Sequence, residues 1–328
     1  MKQFARRVGG IVAALLALCG AGLAHAQGYP NKSIKIIVPY PPGGPTDVQA
    51  RVVGQKMGEL LGQAVVIENR GGVGGMLGST IVAKADPDGY TLLMGASGPQ
   101  AIGPLMAKEP PYDPVKDFTP ISLVSYSPLM LVVNPNKMKA KSVNDVIAAA
   151  RSQPGKLNYG SFGSGTMAHL AGELFKTMAG VNVVHVPYKG SAPAMTALLG
   201  GEIDFMFDTV ITALPHVQGG KLSGLAVTKA TRSSAVPDMP TVAEAALPGF
   251  EAVSWIGLMG PAHLPKEVLD RLSGEMVKAL ADRAVRQRLE AAGAEPVGSD
   301  SATFSKQMKS ELARWEPVVK AAGLLRSQ

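Results

Sequence analysis

Cysteine is almost missing from this chain: Cys19 is the only one in 328 residues. No intrachain disulfide can form, so stability has to come from a buried core. Aromatic residues make up 5% of the chain, and the histidines (25, 169, 185, 216 and 263) are scattered. There is no CxxC, HExxH or GxSxG, and no pair of carboxylates whose setting would drive their pKa values apart. That removes the common zinc, redox-thiol and nucleophile-elbow chemistries. Lys and Arg exceed Asp and Glu by 32 to 25, but the excess is spread along the chain. No basic stripe interleaved with aromatics exists, so a nucleic-acid partner is not expected. Beyond the first 26 residues no apolar run is long enough to span a bilayer.

The first residues carry the compartment signal. Lys2, Arg6 and Arg7 precede an apolar run over residues 8–23, and Ala24-His25-Ala26 before Gln27 has the small-residue cleavage pattern. This predicts a cleaved secretory signal peptide over residues 1–26 and a periplasmic destination. Leu18 is too large for the position before a lipidated cysteine. Cleavage would remove three bases and no acids, leaving 29 against 25, and would take away Cys19. The remaining 300 or so residues exceed one simple core, which predicts two domains.

The most informative stretch is PYPPGGPTD, Pro39 to Asp47. Ile34, Ile36, Ile37 and Val38 read as a buried strand, and Thr46 is placed to cap a helix through Val48, Val52, Val53, Met57 and Leu60. A strand-to-helix turn built of proline and glycine leaves the first helical N–H groups free at the positive end of the helix dipole. Such a turn suits a small anion, or no guest at all. Glu68 to Gly78, ENRGGVGGMLG, is a second glycine turn after a strand over residues 64–68; its spacing does not fit a dinucleotide fingerprint. A third strand, Thr91 to Met94, opens into Ser97 and Gly98. Three strands with glycine turns at their carboxyl ends, separated by helices, describe a parallel sheet with a cleft along one edge.

Proline-rich residues 110–120 read as a surface connection. Residues 118–126 and 129–133 read as two strands split by Ser127-Pro128, where the chain crosses into a second domain. There, LNYGSFGSGTMAHLAGELF brings a strand into a Gly-Ser turn and a helix capped by Ser164 or Thr166. His169 has no ligand partner at metal spacing and reads as a structural hydrogen-bonding residue. A further helix begins near Ser191. Asp208 ends the strand FMFDTV, where it can bond a ligand amine or hydroxyl, or fix a loop by accepting N–H groups. After a strand over residues 224–228 the chain returns to the first domain. Residues 266–292 and 301–322 read as helical, with Trp315 on an apolar face. Ser164, within GSG, is the one candidate nucleophile; a hydrolase reading would be discarded if Ser164→Ala left ester turnover at background.

The succession IKIIVPYPPGGPTD, VVIENRGGVGG, DGYTLLMG, YDPVKDF, KLNYGSFGSGTMAHLAGELF, VHVPYKG, FMFD and GAEPVG resembles the Bug-type solute-binding proteins of tripartite tricarboxylate transporter systems, over essentially the whole chain after residue 26. The resemblance implies an α/β, two-domain periplasmic binding protein (type II-like), with two mixed or parallel sheets flanked by helices and joined by two crossing strands. Domain 1 would comprise residues 27–126 plus 228–328, and domain 2 residues 127–227. It further implies a non-enzymatic monomer without cofactor or metal that closes over a small carboxylate (a di- or tricarboxylate, an acidic amino acid or an aromatic acid). The carboxylate would be held by backbone N–H groups and hydroxyls, without a dedicated arginine. Its partners would be membrane transporter subunits; the alternative is a sensor presenting its closed form to a signalling receptor. Carried over, the ligand positions are Tyr40, Gly43, Gly44, Thr46 and Asp47 in the first turn, and Ser161, Ser164, Gly165, Thr166 and His169 in the second. Ser97 and Asp208 would lie near the cleft. The chain departs from the commoner pattern at Gly71, Met76 and Phe162, which loosen and dehydrate the second glycine loop and place a bulky ring in the Gly-Ser turn.

Overall fold

The computed structural model describes residues 28–321 and 323–325; the expected signal peptide lies outside them. The compact unit carrying the sheet begins at Lys32. Its first half is built on β1 (Ile34–Val38), β2 (Val65–Asn69) and β3 (Thr91–Ala96), with β1 central and parallel to both neighbours. β1 is apolar at nearly every position and buried, as expected for a strand covered by helices on both faces.

β4 (Phe118–Val133) organises the rest. It is one unbroken 16-residue strand where the sequence suggests two. Its first part pairs antiparallel with β9 (Val253–Pro261), from Phe118↔Pro261 to Pro128↔Val253, and β9 in turn pairs with β3. From Leu129 onward it pairs instead with β7 (Phe205–Thr209) and β8 (Ser223–Val227). Pro128 stands at the hand-over. A proline lacks the N–H that a ladder needs, so it fits where one set of partners ends and the next begins. Beyond β7 lie β5 (Asn158–Ser161) and β6 (Val184–Pro187), all parallel, and the two-residue β10 (Glu295–Pro296) edges β4. The strand order is β2-β1-β3-β9-β4-β7-β5-β6.

Two cores flank the hand-over. One gathers Ile37, Val82, Leu93, Leu123, Trp255 and Phe304; the larger gathers Leu129 to Val133, Phe175, Phe205, Phe207, Phe250 and Trp315. The predicted helix over residues 266–292 is broken into Lys266–Ala281 and Arg283–Ala291, because Asp282 turns its carboxylate back to cap the N–H groups of Ala284 and Val285.

The last helix, Ser301–Ala321, touches both cores: Phe304 and Met308 pack in the first, Trp315 and Val319 in the second. Between them Glu311, buried, accepts the indole N–H of Trp255 at 3.2 Å and of Trp315 at 2.9 Å on a single carboxylate oxygen. Both rings are buried, so removing that oxygen strands two donors at about 1–3 kcal/mol each. Glu311→Leu should therefore cost about 2–4 kcal/mol in urea unfolding, and Glu311→Gln, which keeps an acceptor, clearly less. Equal losses would show that the carbonyl-type acceptor is not what matters there.

Candidate anion-binding site

The turn after β1 starts its helix two residues earlier than the sequence suggests. The helix is Pro45–Leu61 with Gly44 at the N-cap, and Thr46 lies inside the first turn. Proline at the first helical position explains this, since its fixed φ suits the helix and its missing N–H would have no partner there. The first helical bond runs from Val48 N–H to Gly44 O, so the N–H groups of Thr46 and Asp47 precede the ladder. Asp47 is committed to shaping this turn: its carboxylate accepts from Gly43 N–H, Asn69 and Arg51, and these partners hold it below the usual carboxylate range despite the opposing effect of burial. Gly43, at φ +82°, is where the turn requires glycine.

The Gly-Ser turn after β5 leads into the helix Met167–Ala179, with Thr166 at the N-cap. Thr166 Oγ1 does not cap the helix but donates back to Gly163 O at 2.7 Å. Ser161 Oγ accepts from Gly163 N–H and shares a hydrogen bond of 2.6 Å with His185 Nε2. His169 Nδ1 accepts from Gly165 N–H. The two imidazoles stack at 4.0 Å, and His185 stacks on Tyr159 at 4.9 Å. Ser161 and His169, both buried, and the partly buried His185 thus form a platform beneath the turn.

Above this platform the turns converge on a slot of about 30 Å³. Gly44, Pro45 and Thr46 come from the first helix start, Gly98 from the π-helical turn Gly98–Ile102 after β3, and Thr166 and Met167 from the second. Ser191 opens the helix Ser191–Leu199, and Thr209 is the N-cap of Val210–Gln218. Five helix starts therefore face one small space. Ser127, Ser254, Tyr40 and Phe162 complete the polar and aromatic wall, which carries no charged side chain. The two halves meet here through glycines: a Cβ on Gly98 would lie 3.1 Å from both Gly165 O and Thr166 Cα, and one on Gly190 would lie 2.9 Å from Pro41 Cδ.

Of the residues singled out from sequence, Tyr40, Gly44, Thr46 and Thr166 line the slot. Ser164 and Gly165 line a vestibule of about 410 Å³ that shares Tyr40 and Phe162 with it. Gly43, Asp47, Ser97, Ser161, His169 and Asp208 stand behind these walls. Ser97 bonds Ser254 at 2.9 Å, and Asp208 accepts from Ser191, Thr212 and the Thr209 N–H. Of the two roles open to Asp208, its bonds match the loop-fixing one. Burial pushes its carboxyl up to about 6, against the lowering effect of those donors. Tyr40 is held neutral by burial and by Tyr112, and its hydroxyl donates to Gly74 O. Sequence reasoning missed Ser191 and Thr209 as slot residues, although both stand at helix starts after strands, which is the signal that marked the other turns.

Burial, then His169 and Lys176, drive the His185 pKa down to about 3, and burial lowers His169 as well. A depressed histidine contributes stability that is present above its unfolded value near 6.5 and is lost as pH falls through that value toward the folded one. The His185 ring should thus still read neutral by NMR at about pH 5, where an ordinary imidazole is charged. His185→Gln should flatten the loss of stability on acidification between roughly pH 6.5 and 3. A His185 signal titrating near 6.5 would refute the buried stack.

A sequence model of the family "Tripartite tricarboxylate transporter family receptor" matches residues 49–324. Among solved structures, the chain is similar to R. palustris Rpa4515 with adipate, at 37% identity and a TM-score of 0.88 over 90% of this chain and 98% of that one. It is similar to the periplasmic binding protein BugD, at 34% identity and a TM-score of 0.87 over 90% and 99%. It is also similar to MatC from Rhodopseudomonas palustris with bound malate, at 33% identity and a TM-score of 0.84 over 89% and 100%. With the fold of these periplasmic binding proteins and a family match over most of its length, the chain belongs to the tripartite tricarboxylate transporter receptor family, the Bug-type solute-binding proteins.

Proposed function

We propose that the protein captures a small carboxylate in the slot between its two halves and delivers it to a tripartite tricarboxylate-type membrane transporter outside the cytoplasm. The convergence of five helix starts on one uncharged slot carries this reading. Free N–H groups at the positive ends of helices recognise an anion without a cationic side chain. Hydrogen bonds to a charged group contribute about 1.5–3 kcal/mol each. Four or five give about 6–15 kcal/mol, enough at mid-range to reach the ~8 kcal/mol of a micromolar complex with a surplus against desolvation, ligand ordering and closure. The adipate and malate in the two neighbours are the class of ligand this chemistry selects.

In this reading residues 27–126 with 228–328 form one lobe and residues 127–227 the other, with β4 as a crossing strand. The ligand touches both turns only when the lobes are together, so binding shifts the population toward the closed form that the transporter meets. The ligand positions then divide into Tyr40, Gly44, Thr46 and Thr166 at the carboxylate, Ser164 and Gly165 beside its body, and Gly43, Asp47, Ser97, Ser161, His169 and Asp208 as groups that hold the walls.

Gly44 offers a clean test. Its φ of −79° suits any residue, and a Cβ there would meet only Pro41 O at 3.8 Å, so Gly44→Val should fold normally while filling the slot. Wild-type protein at a hundredfold excess of a bound acid should gain about 2.7 kcal/mol, read as a thermal shift of a few degrees. The matched neutral amide should give none, and Gly44→Val should lose the shift. Unchanged binding in that variant would sink the role of this turn.

A further inference from the structure

The slot and the vestibule differ in chemistry. A space of about 30 Å³ holds roughly one water or one carboxylate group, so the remainder of any ligand has to lie in the vestibule beyond Tyr40 and Phe162. That vestibule is faced by Met76, Met106, Phe162, Pro187 and Tyr188, and Lys189 is its one charged residue. Met76 and Phe162, set 86 positions apart in the chain, both line this one space.

Several backbone groups between these side chains are already bonded. Gly75 N–H donates to Gly72 O, Gly163 N–H to Ser161 Oγ and Gly165 N–H to His169 Nδ1. Gly74 O accepts from Tyr40, and Gly163 O from Thr166. A hydroxyl set against Met76, Met106 and Phe162 would leave water without finding an equivalent partner there, whereas a methylene or ring face would gain contact with sulfur and aromatic carbon; the side-chain polar groups of the vestibule are those of Tyr40, Ser164, Tyr188 and Lys189.

We infer that the ligand is an acid with an apolar body, aliphatic or aromatic, and that Phe162 and Met76 select it against hydroxylated acids. This rests on the carboxylate-capture reading above and names the part of the ligand that the reading leaves open. The slot fixes the charge, and the vestibule sorts what carries it.

The test is titration calorimetry with two matched pairs, hexanoate against gluconate and cyclohexanecarboxylate against quinate, together with the amides of the two apolar acids. The apolar acids should bind at least about tenfold more tightly than their hydroxylated partners. Phe162→Ala should shrink that gap. Met76→Gln, which keeps the length of a partly buried side chain and adds donors, should shrink it with the fold intact even if loss of the buried Phe162 ring impairs folding. If acids bind better than amides but gluconate and quinate bind as tightly as their apolar partners, the inference is overturned and anion capture stands. If acids and amides are indistinguishable, anion capture fails and the inference with it.

Discussion

The structure is organised around helix starts without side-chain caps, gathered at one small space. An α-helix start carries N–H groups with no intrahelical acceptor and the positive end of the dipole, and a protein ordinarily caps it or leaves it in water. Here the helices beginning at Pro45, Met167, Ser191 and Val210 and the π-turn at Gly98 all point at one space. None of the four regular helices has a side-chain cap. Asp208 takes up part of the positive field behind Ser191 and Thr209, and its raised pKa shows the cost of burying a carboxylate even there. In the proposed reading, an incoming anion is met on the side of Gly44 and Thr166.

Everything around the slot serves to bring those starts together without a cation. Glycines let two backbones approach to van der Waals distance at Gly98 against Gly165 and Thr166, and at Gly190 against Pro41, where any side chain would hold the halves apart. The histidine pair supports the second turn from below, and because burial keeps it neutral it adds no charge of its own. β4 carries one backbone through both halves, and the last helix spans both cores through Glu311 and its two indoles. These two elements are continuous where the slot is divided, so any relative movement of the halves bends them rather than separates them.

Much of this was legible in the sequence, because turn chemistry is local. Pro39 to Asp47 and the GSFGSGT stretch announce strand-to-helix turns, and both occur where expected. Local rules failed where tertiary partners decide. Thr46 looked like a cap because threonine prefers that position, but Pro45 preferred the first helical position more strongly. Ser127-Pro128 looked like a break, since a proline interrupts a ladder; it sits instead where β4 changes partners, so no bond is lost. Asp282 was lost inside a long helical pattern because a capping aspartate and a solvent-facing one read alike. Which further turns would join the first turn and the Gly-Ser turn could not be read from local pattern, and so Ser191 and Thr209 went unnoticed beside Gly44 and Thr166.

In the proposed reading, the division between slot and vestibule lets one fold serve many acids. A carboxylate looks the same to backbone N–H groups whatever carries it, so the helix starts supply affinity that does not discriminate. Discrimination then has to come from side chains that do not touch the charge. In this chain they are supplied by two segments that the slot does not need for its anion chemistry, the loop before Met76 and the turn at Phe162. Substitutions there can change the preferred body without disturbing the converging dipoles.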